Sequence, residues 1–299
     1  MHPGCDHWLA VLGHLRIDRK GNPAPHKPLL LLTVIEMVEK GVIKEPLLPY
    51  SGELSFRFLV LWPIVAARRT QPPEIWMPFF HLRTSGIWTP LDADDNPTEE
   101  RRRVASARID PGFFACLQNA DFRQRLRLVL VDRYFSDPNE RTALSEFADV
   151  RLEEAEALKD EILRYEIAHR LVREARFGLT IVPAYDYTCA LTGYKLVTAD
   201  AGSIVDAAHI HQFARSRNND PRNGIALSKN AHWAFDKGLW SLTDDCRVVL
   251  ATNRFRETGP SPFLLANFEG KRIHLPKNRD LWPDPRHLDW HRRNKLSTS

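Results

Sequence analysis

The sequence predicts an α+β chain in three parts: a mainly helical domain (1–150), a helical connector (151–178) and a small strand–strand–helix domain with a basic tail (179–299). Three observations carry this. Apolar helical stretches punctuated by proline and glycine dominate the first half. The run from Arg141 to Phe177 holds neither glycine nor proline and alternates acids with bases at helical spacing. Beyond it, two short apolar segments flank a polar loop and lead into a helix that stops at Gly238.

Residues 7–16 read as a short helix, and the turn-rich stretch Asp18 to Pro25 follows. Pro28 suits a helix start, where its missing N–H is not needed, so a helix is expected from about Pro28 to Lys40, ending near Gly41. Phe56 to Ala67 reads as another helix, kinked at Pro63. Ile75 to Trp88 is apolar but too interrupted for a long helix. Residues 92–100 read as an exposed acidic loop running into Arg101-Arg102-Arg103. Helices resume from Asp110 to Asp132. The connector is expected as one helix from Arg141 to Phe177, ended by Gly178. In the last part, Ser203–Ile210 and Gly224–Ser228 read as strands, Lys229–Lys237 as a helix, and Leu239–Leu242 and Cys246–Ala251 as two more strands. The proline-rich basic tail from Thr258 is expected to wrap the surface.

Composition bounds the function classes. Apolar residues at 43% and charged residues at 27% fit a packed, soluble chain, and no apolar run is long enough to span a membrane. The amino terminus lacks the basic-then-apolar order of a secretion signal. Four scattered cysteines, with no CxxC pair, argue against a disulfide scaffold and for a reducing, cytoplasmic compartment. The net charge of +4 sits wholly in residues 151–299, since residues 1–150 balance 19 basic against 19 acidic side chains. Local basic patches remain at Arg68-Arg69 and at the arginine triplet.

His209, Asn223, His232 and Asp236 are the chemistry-bearing residues of the last domain. His232 and Asp236 lie four apart on one helix face, a spacing at which an imidazole and a carboxylate can hold one divalent ion. His209, near a strand end, has the pKa range to accept a proton from water. Asn223 can hold the loop or the histidine ring in place. His211 would share a strand face with His209 and is read as a phosphate contact.

Asp206-Ala-Ala-His-Ile-His, Asn219-Asp-Pro-Arg-Asn-Gly-Ile-Ala-Leu and Asn230-Ala-His-Trp-Ala-Phe-Asp-Lys-Gly together resemble HNH endonucleases over about Tyr185 to Ala251. The resemblance implies a ββα-metal fold and one-metal phosphodiester hydrolysis with Mg²⁺, Mn²⁺ or a similar ion. It also implies His209 as general base, Asn223 as the asparagine that orients its ring, and His232 and Asp236 as metal ligands. The position directly before the base, often a ligand, is Ala208; Asp206, offset by two, is the substitute candidate. Where many relatives hold a structural zinc on two CxxC pairs, this chain has Cys189, Thr192, Ser228 and Ala231. No structural zinc is therefore expected, and an apolar substitute is expected around Leu191 and Trp233.

In the first domain, His26-Lys-Pro-Leu-Leu-Leu-Leu and Met77-Pro-Phe-Phe-His-Leu resemble the sulfur-binding domain ahead of HNH modules in McrA-like type IV restriction enzymes, over roughly residues 7–110. The resemblance implies recognition of double-stranded phosphorothioate DNA in a prokaryotic cytoplasm, with no membrane partner. His26, Lys27, Pro28, Met77, Pro78, Phe79 and His81 would form the sulfur cup, and Arg101, Arg102 and Arg103 would read bases. Sulfur is softer than oxygen and a poorer hydrogen-bond acceptor, so apolar atoms desolvate it at lower cost. A homodimer is the simple route from one-strand cutting to a double-strand break. The alternatives are an HNH restriction enzyme reading methylated cytosine, a DNA-binding module with an inactive nuclease, and a secreted nuclease toxin.

Overall fold

The computed structural model describes residues 4–17, 24–67, 71–149, 161–216, 218–260 and 264–296, with the backbone alone at 161–169 and 214. The chain divides into two units, Met1–Ala175 with Thr198–Gly202, and Arg176–Val197 with Ser203–Ser299. Among the described residues, no helix is long and apolar enough to cross a membrane. The Arg68-Arg69 patch, and residues 150–160 of the expected connector, lie outside the described residues.

The first unit is built on α2 (His26–Glu39), whose residues Pro28 to Ile35 are all buried. A helix apolar on every side must be surrounded. Around it are α1 (Cys5–Leu12), α3 (Gly52–Ala66), α4 (Trp76–His81), α5 (Pro111–Leu117), α6 (Ala120–Tyr134) and α7 (Pro138–Ala148). Pro28 is the third residue of α2, where backbone N–H groups have no intrahelical partner. Ser51, Asp110, Asn119 and Asp137 cap α3, α5, α6 and α7 by accepting from backbone N–H groups of the first turn. Pro63 lies inside α3, as expected. Arg57 of α3 is buried, and its charge is met by Glu36 at 2.9 Å and Glu53 at 3.0 Å.

Two features of this unit differ from expectation. It holds a three-stranded antiparallel sheet, β1 (Leu47–Pro49), β2 (Trp88–Leu91) and β3 (Ser106–Ile109), ordered β1–β3–β2. Its prolines, Pro49 and Pro90, sit on the two edge strands, where a missing donor costs no ladder bond. Cys5 and Cys116 form a disulfide between α1 and α5, with Cα atoms 5.7 Å apart. Cysteine scatter in sequence is therefore no argument against cross-linking here, or for a reducing compartment.

The connector is not one helix. Asp149 adopts a left-handed conformation that ends α7, while α8 (Glu161–Ala184) runs straight through Gly178. The unit division falls inside α8. In the second unit, β6 (Val205–His209) and β7 (Gly224–Ser228) form an antiparallel hairpin, followed by α10 (Lys229–Asp236). β8 (Trp240–Leu242) pairs with β9 (Val248–Leu250). Preceding the hairpin are the two-residue strands β4 (Val197–Thr198) and β5 (Gly202–Ser203), and α9 (Phe213–Ser216) lies in the loop between β6 and β7. The tail carries α11 (Pro285–His291), anchored by the buried Leu288 and His291 and continued by a π-helical turn over Arg292–Leu296.

Candidate active site

His209 closes β6 opposite Gly224, the first residue of β7. A Cβ at residue 224 would fall 2.5 Å from Ile181 and 2.7 Å from Phe177, so only glycine lets α8 come this close. The close approach brings the Phe177 ring flat onto the His209 imidazole, with centroids 3.8 Å apart and planes 5° apart. The Nε2–H of His209 donates to Asn219 Oδ1 at 3.1 Å. In that tautomer Nδ1 is the proton-accepting nitrogen. Neither Phe177 nor Asn219 was among the sequence candidates; the crowded polar run Asn218-Asn219-Asp220 was the one signal for the latter.

Asn223 is fully buried, and its amide binds backbone on both sides of the loop. Its Oδ1 accepts from His211 N at 2.8 Å, and its Nδ2 donates to His211 O and Asn218 O, both at 3.0 Å. The expected ring contact to His209 belongs to Asn219 instead. Asn223 is the clamp that holds the Asn218–Asn219 segment against the end of β6.

On α10, His232 Nε2 and Asp236 Oδ2 lie 3.5 Å apart, both partly exposed. An imidazole nitrogen and a carboxylate oxygen so placed are the pair that would hold a divalent ion. Asp206 does not join them. Its carboxylate is paired with Lys229 at 2.5 Å, and strand alternation puts it on the opposite face of β6 from His209. Ala208 is fully buried and offers no donor. Among the described residues, no three His, Cys, Asp or Glu side chains gather as a metal site.

At the positions where relatives carry zinc thiolates, Cys189 is buried and its Sγ lies 3.5 Å from Ser228 Oγ. Burial works to raise its thiol pKa, but hydrogen bonds with Ser228 and Thr192 outweigh it and hold the value below the usual range. Leu191 is buried, whereas Trp233 is 60% exposed and takes no part in an apolar plug. The indole that fills this region is Trp240, fully buried, whose Nε1–H donates to Ala231 O at 3.1 Å.

In the first unit, the predicted sulfur-cup residues separate into two groups. Pro28, Pro78 and Phe79 are buried; Phe79 packs on Trp88 and Tyr50, so it is core. Both prolines are the third residue of a helix packed inward, which explains their burial. His26 meets Pro72 O at 2.9 Å and packs on Trp62, and Lys27 Nζ donates to Arg16 O at 2.8 Å. His81 has its pKa lowered by burial and by the positive field of Lys27, Arg83 and Arg101. The Arg101 guanidinium lies over the Trp76 ring at 3.6 Å, and that of Arg83 over Phe80 at 4.1 Å. Arg103 is bound instead by Asp92 at 3.2 Å, and Asp92 is buried at the root of the otherwise largely exposed acidic loop. Arg102 is exposed in the same short 3₁₀ turn.

An imidazole fixed in one tautomer, on the hairpin–helix unit that carries an imidazole–carboxylate pair, is equipment for hydrolysis assisted by a divalent ion. Residues 189–243 match the HNH endonuclease family, so the chain carries an HNH endonuclease domain. A solved structure described as "Modification dependent TagI restriction endonuclease" is 24% identical over 41% of this chain and 38% of that chain, with a TM-score of 0.31. The chain thus spans well under two thirds of that protein, and a TM-score of this size does not equate two folds. No curated protein matches the sequence.

Proposed function

We propose that the chain is a modification-dependent DNA endonuclease, in which His209 drives phosphodiester hydrolysis and the first unit recognises duplex DNA carrying a phosphorothioate. His209 takes a proton from the attacking water at Nδ1, while Asn219 holds the opposite ring nitrogen and Phe177 holds the ring plane. Asn223 keeps Asn219 in place through the loop backbone. A divalent ion held by His232 and Asp236 would supply charge neutralisation at the scissile phosphate. One such site cuts one strand, so a double-strand break calls for two copies, most simply as a homodimer.

The observation that carries the recognition reading is the gathering of Lys27, Arg83 and Arg101 around His81, beside Trp76 and Met77. Cations there attract the phosphorothioate charge, and the indole and thioether supply apolar contact for sulfur. The prolines act from beneath, as buried helix starts.

The test is binding by the full-length His209→Ala protein to four matched duplexes: each phosphorothioate stereoisomer, a methylated-cytosine duplex and plain DNA. One stereoisomer is expected to bind at least about tenfold tighter than plain DNA, a difference of about 1.4 kcal/mol. Equal affinity for sulfur and oxygen sinks sulfur recognition, and preference for the methylated duplex makes base modification the signal read.

A further inference from the structure

α11 lies outside the family-matched residues 189–243, yet it is bonded to the catalytic loop along its length. Asp284, its N-cap, donates its backbone N–H to Arg222 O at 2.9 Å and pairs with the Arg222 guanidinium at 3.0 Å. Asn218 Nδ2 donates to His287 Nε2 at 3.3 Å. The His211 ring stacks on Trp290, with centroids 3.9 Å apart and planes 17° apart. Behind these, the buried His291 is bonded to Ser241 at 2.9 Å and lies flat on Phe235.

Between α11 and the loop is a cleft of about 470 Å³, lined among others by His211, Asn218, His287, Trp290 and Asn294. That volume falls in the range of small-ligand pockets, roughly 300–1,000 Å³. Its chemistry is an aromatic stack with amide and imidazole groups beside it, and two carboxylates, Asp220 and Asp289, complete the lining together with the arginines. Arg286 and Arg293 stand exposed at the rim, each steadied by a carboxylate, Asp284 at 2.9 Å and Asp289 at 3.0 Å. A guanidinium has five N–H donors, so one carboxylate does not exhaust it. The cleft adjoins the reacting centre: Asn218 is bonded to His287, and its neighbour Asn219 to His209.

We propose that this cleft receives the nucleotide next to the scissile phosphate, unstacked from its neighbours, with its base against the Trp290–His211 wall and its backbone along Arg286 and Arg293. The proposal rests on the endonuclease reading of the second unit. An aromatic wall accepts any base, because every base has a π face, and the amides and imidazole beside it can favour one base edge. Extruding that base costs least where it is mismatched, which gives the subsite a measurable signature.

The experiment compares cleavage by wild type, Trp290→Phe and Trp290→Ala full-length proteins, on a paired duplex and on duplexes mismatched one position to either side of the cut. Cutting by wild type tests the endonuclease reading alone; the Trp290 comparison tests the subsite. Wild type should show a lower KM when the mismatch lies on one particular side. Trp290→Ala should raise KM about tenfold, lose that preference and change kcat far less, since base–aromatic stacking is lost in binding. Trp290→Phe should keep most of the preference. Two outcomes overturn the proposal: a fall in kcat with KM and mismatch preference intact, which makes Trp290 a brace for the loop, or no effect of Trp290→Ala on either constant.

Discussion

At the residue scale, His209, the proposed general base, depends on a side chain that does not touch it. Asn223 donates twice and accepts once, and all three partners are backbone groups of the loop that carries Asn219. Asn223→Ala removes the acceptor of the half-buried His211 N–H, at a cost of about 1–3 kcal/mol. It also frees the Asn218–Asn219 segment, so the His209 ring loses its fixed tautomer. The expected outcome is a lowered denaturation midpoint together with a lowered kcat at unchanged DNA affinity. Loss of activity with no loss of stability would show that Asn223 acts on substrate or on the ring, as the family resemblance implies, and not through the loop.

At the scale of the element, α11 carries an acid-sensitive anchor. Burial pushes the His291 pKa down to about 3, against the hydrogen bond to Phe235 O, with Lys295 and Arg292 adding to the depression. The unfolded chain takes up that proton near pH 6.5, well before the folded one does. The stability His291 contributes is therefore full above about pH 6.5 and is lost progressively as pH falls toward 3. His211, which stacks against this helix, and His287, which belongs to it, are shifted in the same direction, chiefly by burial. His291→Gln keeps a polar partner for Ser241 without a titrating ring. Its stability should fall less steeply between pH 6.5 and 4 than that of wild type, by denaturant titration at each pH, with His211 and His287 leaving a residual slope. Parallel pH profiles for the two proteins would remove His291 as the anchor.

The same scale explains what was legible in the sequence. The β6–loop–β7–α10 order could be read because its parts are consecutive and its polar residues fall at fixed spacing. The β1–β3–β2 sheet could not, since its strands have three or four residues, two of them contain proline, and β1 reaches β3 from Pro49 to Ser106 across the whole of α3 and α4. The Cys5–Cys116 link spans 111 residues and leaves no local trace. Phe177 and α11 reach the site from outside the motif, so nothing in their own neighbourhoods marks them. The acidic loop is exposed as expected except at Thr98, which is half-buried, and at its root, where Asp92 turns inward, accepting from Asp94 N and Asn96 N at 3.0 Å as well as from Arg103.

At the scale of the whole molecule, the proposed function assigns recognition and cutting to different units, so their kinetic signatures should separate. Arg101 is stacked over Trp76 in the first unit, while His209, His232 and Asp236 belong to the second. If Arg101 meets a DNA phosphate, Arg101→Ala removes about one released counterion, so the slope of log K against log salt should become shallower by about 0.9. KM should rise most at low salt and the difference should shrink as salt increases, because the lost term is electrostatic. The rate at saturating DNA should stay near that of wild type, since no reacting atom is touched. Arg103→Ala is the internal control: its guanidinium is already bound by Asp92 and Glu100, so its effect should fall on the stability of the loop and leave the salt slope alone. Affinity measured across a salt series for wild type and both variants decides this. A salt slope unchanged in Arg101→Ala, or a fall in kcat at saturation, would mean that this cation does not bind the DNA backbone and that the first unit reaches its target through other groups.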